Sequence, residues 1–399
     1  MPSPDVPPAL AQPPKADLSI AAAQTQSPMY TRPFVLATLA YFCFYTHVSA
    51  YNMLPLYLQT LGTRAGQIGT IMAMFSAAAI LGQSITGRLL NRGWRKSCLL
   101  VATGLLTGVA AGFGLTSHLG WPLYLLRFLQ GLGFALYMAS GMTLIAELAP
   151  PARRAEAVGI YGAGGLVAVA VGPALAEVIL QSWGFPTFFM AALTMAMATL
   201  VLAALVPVPA AKPAPRHQPL GWAGWAPFLP VLLPGFQYGL ANTIAFIFLP
   251  PFARYAGLAR AGPFYIAFTG AAILVRFFAG GLSDRVGRDR VILPALGAMA
   301  AGILLCSTVQ ATWMLVAIGV LNGLGQGFVM PAANALAFEH APSGRRGQAM
   351  ALYTGANLVG GTLGASGFGW VVEAFGYRPA FVLSGVVLML GNLAFWRRR

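Results

Sequence analysis

Carboxylates are scarce in this chain: nine Asp and Glu stand against 24 Lys and Arg, and charged residues of both signs make up only 8% of the 399 positions. A water-soluble globule needs about 25% charged side chains to cover its surface, so that class is excluded. Cysteine is also rare. Cys43, Cys98 and Cys306 lie in or beside apolar runs with no C-x-x-C spacing, which excludes a disulfide framework and a structural zinc site; they read as small hydrophobes. Catalytic signatures are missing. There is no G-x-S-x-G, no H-E-x-x-H and no P-loop, and the Gly-Leu-Gly pairs lack a third Gly. An enzyme, a resident cofactor and an ATP-powered pump are therefore not expected.

What the chain has in quantity is apolar sequence, 58% of it. About twelve stretches, each about 20 residues long, run from Pro33 to Trp396, long enough to span a bilayer as helices. The second six repeat the first. Gly131, Gly133, Glu147, Arg153, Arg154, Tyr161, Gly172 and Phe189 return, at one constant step, as Gly323, Gly325, Glu339, Arg345, Arg346, Tyr353, Gly364 and Phe381. The expected fold class is an all-α membrane protein with twelve transmembrane helices in two homologous six-helix bundles. The expected segments are a tail over 1–31, rich in Pro, Ala and Gln and without a secretory signal, a first bundle over 32–208, a linker over 209–225 and a second bundle over 226–399. The first six helices are expected near 33–58, 67–90, 97–117, 122–148, 157–181 and 186–208. The second six are expected near 226–254, 263–283, 291–309, 313–340, 348–374 and 379–397. Pro55 and Pro250 hold matching places in the repeat and are expected to bend their helices.

The formal charge of +15 raises the question of nucleic acid, and the positions of the cations answer it. Arg32, Arg88, Arg92, Arg95, Lys96, Arg153, Arg154, Lys212, Arg216, Arg285, Arg288, Arg290, Arg345, Arg346 and Arg397 to Arg399 fall in the tails and in every second loop. The alternate loops hold only Arg64, Arg254, Arg260 and Arg378. That asymmetry follows the positive-inside rule and places both termini and the central linker in the cytoplasm. The partner is the lipid bilayer, not nucleic acid.

Two motifs sit at matching places in the halves. Gly280, Gly281, Leu282, Ser283, Asp284, Arg285, Val286, Gly287, Arg288, Asp289 and Arg290 follow the eighth helix, and Gly87, Arg88, Leu89, Leu90, Asn91, Arg92, Gly93, Trp94, Arg95 and Lys96 follow the second. Together they resemble the G-x-L-A-D-R-x-G-R-R loop of the major facilitator superfamily. Arg127, Gln130, Gly131 and Gly133 resemble that family's R-x-x-Q-G-x-G motif in the fourth helix. Gly159, Gly172 and Pro173 fit part of the fifth-helix signature of its drug-proton antiporters, with Ala168, Ala176 and Glu177 departing from it. The resemblance implies a carrier working by alternating access, exporting a small organic compound in exchange for protons, as a monomer in a bacterial inner membrane. Import of a nutrient such as a sugar or organic acid is the alternative, and a receptor or lipid-handling protein is a rival of another class.

The loops read as a latch. Asp284 can accept hydrogen bonds at a helix start while Arg285 and Arg288 bridge to carboxylates, with Glu147 and Glu339 as partners. Asn91 stands where the family loop has Asp, so the first-half latch, which also holds Arg92, is expected to be weaker.

The resemblance further implies that helices 1, 4, 7 and 10 line a central cavity. The polar and aromatic residues at mid-depth on them are His47, Tyr51, Asn52, Gln130, Tyr137, Met138, Gln237, Tyr238, Asn242, Asn322, Gln326 and Asn334. This lining reads as nearly neutral and suits an amphipathic or weakly charged molecule. Each amide would serve equally as an interhelical hydrogen bond. Arg127 lies deep in lipid, where an Arg is costly unless paired or wet; Glu177 is the expected counter-charge, and the pair could couple protons or simply support the fold. His47, with a reference pKa of about 6.5, could carry the coupling proton. Cys43, His47, Met53, Met72 and Met74 could hold a soft metal, which leaves metal or metal-chelate transport as an alternative cargo.

Overall fold

The computed structural model describes residues 29–208, 225, 228–278, 281–342 and 345–397. Residues 1–28 of the expected tail, 209–224 of the linker and Gly280 of the loop motif lie outside the described residues. The described residues form helices joined by short turns.

In the first half these are α1 (Arg32–Ala50), a 3-10 turn (Tyr51–Met53), α2 (Leu54–Thr60), α3 (Ala65–Asn91), α4 (Arg95–Leu115), α5 (Trp121–Leu148) and α6 (Arg154–Leu205). The second half contains α7 (Leu229–Tyr255), α8 (Gly262–Phe278), the short α9 (Leu282–Val286), α10 (Arg288–Cys306), α11 (Thr312–Glu339), α12 (Arg346–Phe375) and α13 (Tyr377–Trp396). Nine helical stretches among the described residues are long and apolar enough to cross a membrane. One of them contains α6, whose 52 residues hold two traverses that meet at Gly184, where φ is 76°. Gly376, with φ 84°, makes the matching break between α12 and α13. Both positions need the left-handed backbone that glycine adopts without a Cβ clash. With the 17-residue α8 and the less apolar α12, the traverses reach the expected twelve.

The two matching prolines behave differently. Ahead of Pro55 the first traverse tightens into the 3-10 turn, whereas Pro250 and Pro251 lie inside an unbroken α7. The helix is not interrupted at Pro250, as neighbouring helices let a membrane helix carry proline without breaking.

Glycine sets the closest helix crossings within each half. A Cβ on Gly131 of α5 would fall on the carbonyl oxygen of Phe75 in α3, and a Cβ on Gly323 of α11 would fall on that of Phe268 in α8. The fourth-helix motif and its repeat thus include a packing device. Against each other, the halves meet along two seams, α3 with α12 and α6 with α8. At the first, Gly369 crosses Gly69 so closely that a Cβ on Gly369 would lie 3.0 Å from the Gly69 Cα. α12 is wedged between α3 and α7, and this explains why it carries more glycine and less apolar bulk than a lipid-facing helix.

Candidate functional site

A cavity of about 200 Å³ lies at mid-depth between the halves. The α1 stretch contributes Tyr45, Val48 and Ser49, with Asn52 in the following turn; α3 adds Met72, Phe75 and Ser76; α5 adds Arg127 and Phe134. Across from them, α7 presents Tyr238, Asn242, Thr243 and Phe246, and α11 presents Gln326. Tyr45, Ser49 and Asn52 follow a helical i, i+4, i+7 stripe, as do Tyr238, Asn242 and Phe246 at i, i+4, i+8.

Four of the twelve expected lining residues therefore face the cavity: Asn52, Tyr238, Asn242 and Gln326. Gln130 sits beside it, its Oε1 accepting from Arg127 Nη1 at 2.5 Å. Others turn away. His47 Nδ1 lies 3.0 Å from the carbonyl oxygen of Ala192 in α6, and its ring packs edge-on against Tyr51, which meets Phe113 and Phe188. Tyr137 stacks on Phe44 at 3.9 Å in the first-half core, where Met138 also packs. Gln237 lies against Gly391 of α13, and Asn322 donates to the Ile318 carbonyl at 3.0 Å while pressing on Gly302. Asn334 is half-buried two turns beyond Gln326 and does not line the cavity.

Arg127 and Glu177 are not partners. Glu177 reaches across the α6–α8 seam, its two oxygens accepting the backbone N–H groups of Ala261 and Gly262 at 2.6 Å each. Free N–H groups at a helix start attract a carboxylate strongly, so the first turn of α8 takes the charge that depth alone had assigned to Arg127. Arg127 is only 5% exposed, with its guanidinium 5.0 Å above the Phe75 ring, and Gln130 is its one acceptor among the described residues. The lining is thus basic where it was expected to be nearly neutral. Arg276 of α8 is exposed and lies outside the lining, near enough to Tyr41, Tyr45 and Tyr238 to interact electrostatically with all three.

On the face bearing the Arg-rich turns, Arg288 bridges Asp284 and Glu339, its Nη2 lying 3.0 Å from Glu339. Arg95 binds Glu147 at the matching place in the first half. Arg285, Asn91 and Arg92 make no ion pair among the described residues; Arg288 alone does the bridging expected of two arginines, because it sits one helical turn from Asp284. All these pairs stay within one half. On the opposite face the halves are tied together: Glu373 of α12 accepts the Gly66 N–H at 3.0 Å and lies 3.7 Å from Arg64, and Gln181 donates to the Ala259 carbonyl at 2.9 Å. Glu373, Arg95 as the partner of Glu147, and the cavity aromatics Tyr45, Phe75, Phe134 and Phe246 were not expected from sequence; the stripe through Asn52 was the signal that could have found Tyr45 and Ser49. No group of three His, Cys, Asp or Glu able to hold a metal ion occurs among the described residues.

A family model described as "Major Facilitator Superfamily" matches residues 34–275 and 235–399. The Multidrug resistance protein MdtG of Enterobacter lignolyticus (strain SCF1) is 26% identical over 375 residues, covering 84% of each chain. Among solved structures, the POT family transporter PepTSo superposes with a TM-score of 0.74 at 12% identity, over 93% of this chain and 100% of that one. A bacterial homologue of the human lysosomal transporter Spinster, in an inward-facing and unoccupied conformation, gives 0.72 at 16% identity, over 93% and 97%.

Proposed function

Because this chain belongs to the Major Facilitator Superfamily and is a multi-pass membrane transporter rather than an enzyme, we propose that it exports small organic compounds in exchange for protons. Alternating access of the two halves about the central cavity carries the substrate. The observation that carries this reading is a central cavity between two halves that, among the described residues, are hydrogen-bonded together on the face away from the Arg-rich turns. By the positive-inside rule the Arg-rich face is cytoplasmic, as are both termini, so this conformation is sealed outside and loads from within. The similarity to a multidrug resistance protein supports the outward direction and an inner-membrane location.

In this reading the substrate rests against Asn52, Tyr238, Asn242 and Gln326, and Arg127 senses its arrival from beside Gln130. The pairs Arg95 with Glu147 and Arg288 with Asp284 and Glu339 hold the cytoplasmic rim of each half rigid, so that the halves rock as bodies. A monomer suffices, since the cavity is built from one chain.

Everted and right-side-out vesicles with an imposed proton gradient test the direction. Accumulation in everted vesicles driven by an acid lumen is the expected result. Accumulation confined to right-side-out vesicles in acid medium would make the protein an importer.

A further inference from the structure

We propose that the cavity selects amphipathic organic anions, with an oxyanion group held by Arg127 and guided by Arg276, and an apolar body laid against Phe75, Phe134 and Phe246. This rests on the transporter reading and names the substrate class for the same site.

The argument begins with an inventory. The chain has nine carboxylates, and Asp5 and Asp17 belong to the N-terminal tail. Glu147 is taken by Arg95, Glu156 by Arg153, and Asp284 and Glu339 by Arg288. Glu177 and Glu373 are spent on helix starts at the sealed face. Asp289 lies in the first turn of α10 on the Arg-rich face. None of the seven described carboxylates lines the cavity.

Arg127 is thus a 95%-buried cation with a ring face and one amide oxygen for company, and its Nε has no acceptor. A buried guanidinium left in that state carries a large desolvation cost, which an entering oxyanion would offset with charge-assisted hydrogen bonds. The planar fork of donors suits a carboxylate, phosphonate or sulfonate. Arg276, exposed on α8 nearer the Arg-rich face and outside the lining, is near enough to Tyr45 and Tyr238 to interact electrostatically with them and adds a second positive charge on the way in. An organic cation entering the cavity would meet the positive charge of Arg127 in its lining and no negative one. Around the cavity, Tyr45, Phe75, Phe134, Tyr238 and Phe246 stand on facing walls among the hydroxyls and amides of Ser49, Ser76, Thr243, Asn52, Asn242 and Gln326, so an anion with an apolar body can use both kinds of surface.

A matched set of probes separates charge from shape: 1-naphthaleneacetate, its neutral amide, and 1-naphthaleneethylamine, titrated calorimetrically into the purified full-length protein in lipid nanodiscs. The carboxylate is expected to bind about tenfold to hundredfold more tightly than the amide, with the amine weakest. Arg127→Gln should erase the difference between carboxylate and amide, while Arg127→Lys keeps part of it. Equal binding of the three, preference for the amine, or no binding of the carboxylate by the unaltered protein overturns the proposal, so the test stands even if a variant fails to fold. The vesicle experiment fails separately. A chain that prefers the carboxylate but moves nothing into acid-loaded everted vesicles keeps its anion site and loses the export reading. One that exports the amide or amine and ignores the carboxylate does the reverse.

Discussion

Glu177 and Gly262 join the two halves of the molecule: the carboxylate in α6 accepts the backbone N–H at the first turn of α8 at 2.6 Å. The other seam repeats the arrangement in reverse, with Glu373 of the second half accepting the Gly66 N–H at the start of α3 at 3.0 Å. Each half thus lends a carboxylate to a helix start of the other, where unpaired N–H groups and the helix dipole favour negative charge. These contacts exist only while this face is closed.

Glu177→Gln and Glu373→Gln should therefore shift the protein toward the conformation open on that face. Each removes charge-assisted hydrogen bonds that contribute about 1.5–3 kcal/mol, an approximately tenfold or larger change in population. The measurement is the rate at which a membrane-impermeant thiol reagent, added outside, labels Asn242→Cys in a background lacking Cys43, Cys98 and Cys306. Labelling should accelerate in each variant and further in the double variant, because the two seams share no side chain and their energies add. Unchanged labelling would show that the carboxylates do not hold the seal.

Much of this architecture was legible from the residues alone, and the part that was not has one physical cause. Depth along a membrane helix follows from where the apolar run begins and ends, so among the described residues the helix boundaries agree within a few residues. Direction around the helix does not follow, because lipid and protein core are both apolar and leave little amphipathic signal. His47 and Asn52 illustrate this. Both lie at mid-depth, yet five residues on a helix place them on different sides, so that Asn52 faces the cavity while His47 faces Ala192. Gln237 and its neighbour Tyr238 part in the same way, toward Gly391 and the cavity respectively. The Glu177 contact was invisible for a different reason: its acceptors' partners are backbone N–H groups, which no side-chain pattern announces.

The glycine crossings give a stability prediction. Gly131→Ala and Gly323→Ala each push a Cβ into a backbone carbonyl, of Phe75 and Phe268, and neither backbone can yield without separating a helix pair. Overpacking of this kind costs about 1–3 kcal/mol. Gly104→Ala is the control, since a Cβ there meets nothing within 4 Å, and it should be neutral or slightly stabilising in mid-helix. Thermal unfolding in detergent should fall for the first two and hold for the third. Three equal melting temperatures would remove the packing account of the repeated motif.

Arg127 and His47 should separate cleanly in transport. His47 is turned to α6 and has no access to the cavity lining, so His47→Gln, which can keep a donor toward the Ala192 carbonyl, should retain proton-driven accumulation in everted vesicles. Arg127→Gln loses the one cation seated in that lining and should lose accumulation even where the protein folds normally. If His47→Gln instead abolished gradient-driven transport while sparing downhill exchange, the imidazole would be the proton carrier and Arg127 would be left with substrate binding alone.

An anionic cargo has an electrical consequence. Exchanging one proton moving inward for one monoanion moving outward carries two charges in the same electrical sense, whereas exchanging a proton for a monovalent cation carries none. Each charge contributes about 2.3 kcal/mol per 100 mV. The exchange should then run on membrane potential alone. In everted vesicles without a pH gradient, a lumen-positive potassium potential set with valinomycin should drive accumulation of 1-naphthaleneacetate, and a lumen-negative one should expel it. Accumulation that ignores the potential but follows the pH gradient would mean an electroneutral exchange. A single proton travelling with the substrate would still leave one charge moved per cycle, so that outcome would rule out the exchange of a proton for a monoanion.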